Sequence, residues 1–315
     1  MPAPFKWDTK VVFLTPEVTK GTPVAVAAGD ALITMNGAIT PMDGGEVELA
    51  LDGRQAAARE AYTTNLHQSV SFEVPLCPPT AAATAPHWGP AARLLSLKET
   101  IVATTRVEYA PVITGQESFT CRFYRDGELR VLAGLMGGGS IRLTNGQVPI
   151  LTSQAKGIYA APSAASAPPV APTYATYRQP AVLSDENTPT VKLGGIDIAL
   201  ESLEINLGND AVFVNRPNYS GAEVNSFNPT GTLVFMAPPL GTLNIEAMLD
   251  TKTSLQLVHY TVAGTQVGFT ADGVQIGRVS TVDLNGNVGF SVPVRFTRPA
   301  AGGNAFKLWS GTAPT

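Results

Sequence analysis

The run from 160 to 173, Ala-Ala-Pro-Ser-Ala-Ala-Ser-Ala-Pro-Pro-Val-Ala-Pro-Thr, holds almost nothing but small residues and proline. Such a segment has no side chains with which to build a core, and it extends as a semi-rigid spacer. It falls near the middle of a chain of 315 residues, and either side is long enough to bury a core of its own. The expected organisation is a first domain over 1–159 that includes an N-terminal arm, a linker over 160–173, and a second domain over 174–315. A similar stretch at 78–86 reads as a loop inserted in the first domain.

On both sides of the divider the same features follow in the same order. An alternating strand comes first, Glu46-Val47-Glu48-Leu49-Ala50-Leu51 and then Leu203-Glu204-Ile205-Asn206-Leu207. Period two places the apolar residues on one face and the acids on the other. Each strand enters a long polar loop, 52–67 or 208–230. Each loop returns through a second strand, 69–76 or 232–240, that finishes in Pro-Leu. A short helix is expected next, with Pro90 in its first turn and Ala91, Leu94 and Leu95 as one buried stripe. Its counterpart has Thr242 as N-cap and Ile245, Met248 and Leu249 as the stripe. Hairpin turns are expected at Asp126-Gly127, Asn145-Gly146, Asp272-Gly273 and Asn285-Gly286, because type I′ turns need positive φ at both central residues. The 30 glycines and 25 prolines lie scattered between short apolar runs, so they read as turns. The fold class is mainly β: two tandem β-sandwich or barrel domains, each with one short flanking helix and long loops.

Catalytic chemistry finds no motif to stand on. His67, His87 and His259 are the only histidines, and none has a partner at a metal-ligand spacing. Ser140 lies outside any Gly-x-Ser-x-Gly, since Arg142 stands where the last glycine belongs. The glycines at 137–139 precede an apparent strand and lack the Gly-Lys-Ser/Thr of a phosphate loop, so they read as a turn. Glu46 and Glu48 could be imagined as a glycosidase pair, but a solvated strand face accounts for them. His87-Trp88 reads as a helix cap that anchors the inserted loop. Cys77 and Cys121 are too few for a disulfide framework, and Cys121, alternating with Phe119 and Phe123, belongs to a core. Net charge of −4 opposes binding of phosphates through clustered cations. The start, Met1-Pro2-Ala3-Pro4-Phe5-Lys6, lacks a secretory pattern, and no apolar run is long enough to cross a bilayer. The expectation is a non-enzymatic protein, without metal, cofactor or membrane, folded in a cytoplasm. Charged residues make up 15% of the chain against about 25% in ordinary domains, which suits a surface largely covered by neighbours.

The order of elements resembles the tail-tube family of long-tailed bacteriophages, in its duplicated-domain form, whose fold is similar to type VI secretion tube proteins. The likeness is carried by Gly21-Thr22-Pro23-Val24, the helix around Trp88-Gly89-Pro90, Val107-Glu108-Tyr109-Ala110-Pro111 and Ser118 to Gly127. Gly137-Gly138-Gly139, Gly146-Gln147-Val148-Pro149-Ile150, Ile205-Asn206-Leu207-Gly208-Asn209 and Val214-Asn215-Arg216 add to it. The resemblance implies a virion tail protein assembled in the host cytoplasm. Duplicated members form trimeric rings with pseudo-sixfold symmetry that stack into a tube and join other tail proteins, while genomic DNA passes through without specific binding. Under it, Glu46, Glu48 and Glu204 would face the lumen and repel DNA. Arg54, Arg59, Arg216 and Asn218, in the long loops, would serve ring stacking together with the N-terminal arm. A distal-tail or tail-terminator protein would share this fold. A β-sandwich binding module outside phage tails is the alternative, and an enzyme ranks third.

Overall fold

The computed structural model describes residues 6, 9–50, 58–165, 167–299 and 302–314. In the first half, β1 (Lys10–Pro16), β2 (Ala31–Leu32), β3 (Met35–Glu48) and β4 (Ala61–Pro75) precede the helix α1 (Gly89–Leu94). Then come β5 (Leu97–Val102), β6 (Arg106–Pro111), β7 (Phe119–Arg125), β8 (Glu128–Thr144) and β9 (Ile150–Ile158). The divider carries β10 (Ser163–Ala164). Beyond it lie β11 (Thr190–Leu193), β12 (Ile196–Asp197), β13 (Leu200–Asn206), β14 (Val212–Arg216), β15 (Tyr219–Glu223) and β16 (Thr230–Met236). The chain finishes with β17 (Lys252–His259), β18 (Gln266–Ile276), β19 (Ser280–Leu284), β20 (Asn287–Phe296) and β21 (Lys307–Gly311). The fold is mainly β and antiparallel throughout its named ladders, as the alternation required.

One continuous wall runs through both halves in the order β3-β4-β9-β8-β13-β16-β20-β19. Its inner quartets meet where β8 pairs with β13, Leu143 opposite Leu203 and Ile141 opposite Ile205. Behind the wall, β1 and β7 continue from the first part of β8, and β5-β6-β21-β18-β17-β11-β12 forms a second layer. The β6–β21 ladder is thus a second strand contact between the halves. It is reinforced by Lys307 Nζ, 2.8 Å from Glu108. A single apolar cluster fills the space between layers, from Val70, Phe72 and Trp88 to Leu233, Phe235 and Phe269. Burial of each such side chain contributes about 1.5–3 kcal/mol.

Several expected elements form for the expected reasons. Pro90 occupies the first turn of α1, and Ala91, Leu94 and Leu95 are fully buried. Asp126 and Gly127, at φ 26° and 95°, and Asn285 and Gly286, at 54° and 85°, make two-residue hairpins. Trp88 is buried and donates its indole N–H to the Cys77 carbonyl at 3.0 Å. Cys121 is buried, with its thiol pushed up to about 12 by desolvation.

Others differ. The Asp272-Gly273 pair lies inside β18, and the β17–β18 turn is instead 260–265, with Tyr260 and Gly264 at positive φ. A side chain at 273 would strike the Thr297 carbonyl, so a close backbone approach explains this glycine. The second helix is a 3₁₀ turn, Glu246–Met248, capped by Ile245 and not by Thr242. Ile245 is buried while Leu249 is 47% exposed, so the apolar stripe has only part of a core to face. The glycines at 137–139 are extended strand within β8. The divider does not hang free: β10 pairs with β8, and the Thr173 N–H reaches the Ala28 carbonyl at 2.9 Å.

Candidate functional site

Alternation gives the wall two faces. Val70, Phe72, Ile141, Leu143, Leu203, Ile205, Leu233, Phe235, Val292 and Val294 are buried on one. Arg142, Glu204, Thr232 and Arg295 are exposed on the other. At its two sides the wall is unfinished. Among the described residues β3 pairs only with β4, and β19 only with β20. A strand edge of this kind presents unpaired N–H and C=O groups to another strand.

The acids expected to recur at matching places do not. Ile39 lies opposite Val70 in the first half and Leu203 opposite Leu233 in the second. With the β4 and β16 strands matched as their sequences suggest, Glu204 therefore corresponds to Thr40. Glu204 sits on the polar wall face directly across from Arg142. Glu46 and Glu48 lie farther out, opposite Thr63 and Ala61, on a two-stranded arm that leaves the wall beyond register shifts at Thr40, Asp43 and Gly45. Val47 and Leu49, on the face opposite the acids, are 53% and 37% exposed on this arm. Leu51 and Arg54 lie outside the described residues; Arg59 is exposed where the chain returns toward β4. The end of the loop expected over 52–67 is strand from Ala61 onward, where β4 begins.

Arg216 and Asn218 sit at the exposed tip of the β14–β15 hairpin, with Asn218 at φ 67° in the turn. This hairpin folds back over the first half. Phe213 stacks on His67 with ring centroids 4.7 Å apart and planes 8° apart, and Ala211, Ala222 and Val224 pack with Met136 and Ile158. His67 is fixed beneath it, with Nδ1 2.8 Å from the Asn65 carbonyl and Nε2 3.3 Å from Asp43. The Ser69 hydroxyl donates to the Asp43 carboxylate at 2.7 Å. That bond, then the nearby His67, holds Asp43 below the usual carboxylate range against the opposing effect of burial.

The segment leading into the hairpin explains Gly138. Asn209 is fully buried, donates to the Leu95 carbonyl at 2.7 Å and accepts from the Gly139 N–H at 3.2 Å. A Cβ at Gly138 would lie 2.6 Å from the Asn209 carbonyl oxygen. Gly138 thus lets the second half's backbone lie directly on β8, whereas Cβ atoms at Gly137 and Gly139 would strike the Gln154 and Thr152 carbonyls of β9.

The remaining candidate chemistry is structural. The Ile33 N–H donates to His87 Nε2 at 2.8 Å, leaving Nδ1 to donate to Thr176 Oγ1 at 3.0 Å. Desolvation lowers His87 to about 4 and His259 to about 4, so both rings are neutral. Among the described residues no three His, Cys, Asp or Glu side chains are grouped to hold a metal, and no helix is long and apolar enough to cross a membrane. Sequence reasoning missed Phe213 on His67 and the buried Asn209, whose partners are more than a hundred residues away or on a different half of the chain. The one available signal was Asn209 after Gly208, a polar residue in the connection between β13 and β14.

The family model described as phage tail tube protein matches residues 7–304. No curated protein matches the chain.

Proposed function

The chain belongs to the phage tail tube protein family, and on that premise we propose that three copies close into one ring, β19 of each pairing with β3 of the next. As a tail-tube subunit it is a structural component of the virion tail and assembles with itself and with other tail proteins. The observation that carries the ring reading is the junction of β8 with β13. There the last wall strand of the first half meets the first wall strand of the second, and the two free edges of the wall are the same pair of positions. Repeating that contact between copies uses every edge, as closed assemblies do. The two halves would then be tandem domains in a pseudo-sixfold ring.

In this reading the polar wall face lines a channel through which DNA is ejected. Glu204 contributes negative charge there, offset by Arg142 across the ladder, so DNA meets a surface with little net attraction. Rings stack through the tip carrying Arg216 and Asn218 and through the N-terminal segment. Electron microscopy of the purified chain tests the proposal: rings with three-fold symmetry support it, and rings of six copies or a chain that stays monomeric at high concentration contradict it.

A further inference from the structure

The β14–β15 hairpin covers one end of the first half's wall, where His67 opposite Ile158 is the last pair between β4 and β9. On the second half, Thr230 opposite Arg295 is the last pair at the same end of the corresponding ladder, between β16 and β20. There the surface is an open groove of about 800 Å3, lined by Thr230, Leu249, Asp250, Arg278, Pro293 and Arg295 among others. Arg278 and Arg295 are exposed, and neither makes an ion pair among the described residues. Among the described residues, Asp250 is the only acid in the lining.

One segment of the chain has the opposite character and no cover. The arm of β3 and β4 exposes Glu46, Glu48 and Glu60 beside a single cation, Arg59, on its described part. It also exposes Met42, Val47 and Tyr62 by 66%, 53% and 55%. A two-stranded ribbon with apolar side chains in water is marginal by itself, and a basic groove with apolar walls at Leu249 and Pro293 complements it in both respects.

We propose that the β3–β4 arm of one copy seats in the Arg278–Arg295 groove of a neighbouring copy, taking on the second half the place that β14–β15 takes on the first. This rests on the ring reading and gives it a side-chain contact. It assigns Glu46 and Glu48 to the interface between copies and leaves Glu204 as the acid of the wall.

A charge exchange in the full chain tests this. Tube formation, followed by sedimentation and electron microscopy near 0.1 M salt, is expected to fall at least about tenfold in E46R/E48R and equally in R278E/R295E, and to recover within about threefold when all four changes are combined. A second measurement needs no recovery: Glu48→Cys with Arg295→Cys is expected to yield disulfide-linked oligomers under oxidation, with Cys77 and Cys121 silent because they are buried. If the unaltered chain forms no rings, the ring reading fails and the arm contact with it. If it forms rings while the reversals leave assembly unchanged, the exchange gives no recovery, or the cysteine pair stays unlinked, the arm contact alone is overturned.

Discussion

Gly138→Ala introduces one methyl group where the backbone of the second half lies against β8. The added carbon would sit 2.6 Å from the Asn209 carbonyl oxygen and 2.9 Å from Asp210 Cα. Both are backbone atoms, so relief requires the whole segment 208–212 to move. Overpacking of this kind costs about 1–3 kcal/mol. The displacement also pulls Asn209 from the Leu95 carbonyl and the Gly139 N–H, and leaving buried amide groups unpaired adds about 1–3 kcal/mol. The expected loss is therefore roughly 2–6 kcal/mol, read as a lower midpoint in urea unfolding of the monomer. Gly29→Ala is the matched control, because a Cβ there meets nothing within 4 Å. A Gly138→Ala midpoint equal to that of Gly29→Ala would refute the reasoning that this glycine is required by the approach of Asn209.

Two further predictions concern two buried histidines and one half-buried carboxylate. His87 and His259 have folded values of about 4 against 6.5 in the unfolded chain. Their stabilisation is fully present above 6.5 and is lost as pH falls toward 4. Between pH 7 and 5 each should remove about 2 kcal/mol of unfolding free energy, a slope that urea titrations should find reduced in His87→Gln. Glu17 accepts from the Gly21 and Gly134 N–H groups at 2.8 Å, from Ser118 at 2.8 Å and from Thr120 at 2.9 Å. Glu17→Ala should cost about 3 kcal/mol and make the 17–22 turn the first site of limited proteolysis, whereas uniform cleavage would show that the carboxylate does not pin it.

The wall was legible in the sequence wherever local chemistry decides. Period-two alternation marked the buried faces of Val70-Phe72 and Leu203-Ile205, and Asp126-Gly127 and Asn285-Gly286 marked hairpins, because positive φ is a local demand. Reading failed where the cause is distant. Gly273 signals the nearness of Thr297 and Gly138 that of Asn209, and glycines of either kind look like turn residues in one dimension. The acids at 46 and 48 match Glu204 by spacing, yet the register shifts at Thr40, Asp43 and Gly45 carry them off the wall. Bulges leave little trace in hydrophobic pattern. Arg278 and Arg295 gain meaning only once β16, β19 and β20 stand side by side.

The central claim, that the free edges β3 and β19 of the wall meet between copies, is tested most directly by a reconstruction of the assembled ring. The account predicts three chains per ring, with β19 of each antiparallel to β3 of the next and Glu204 facing the opening. A ring with any other number of chains, or one in which either edge remains exposed to solvent, would contradict it.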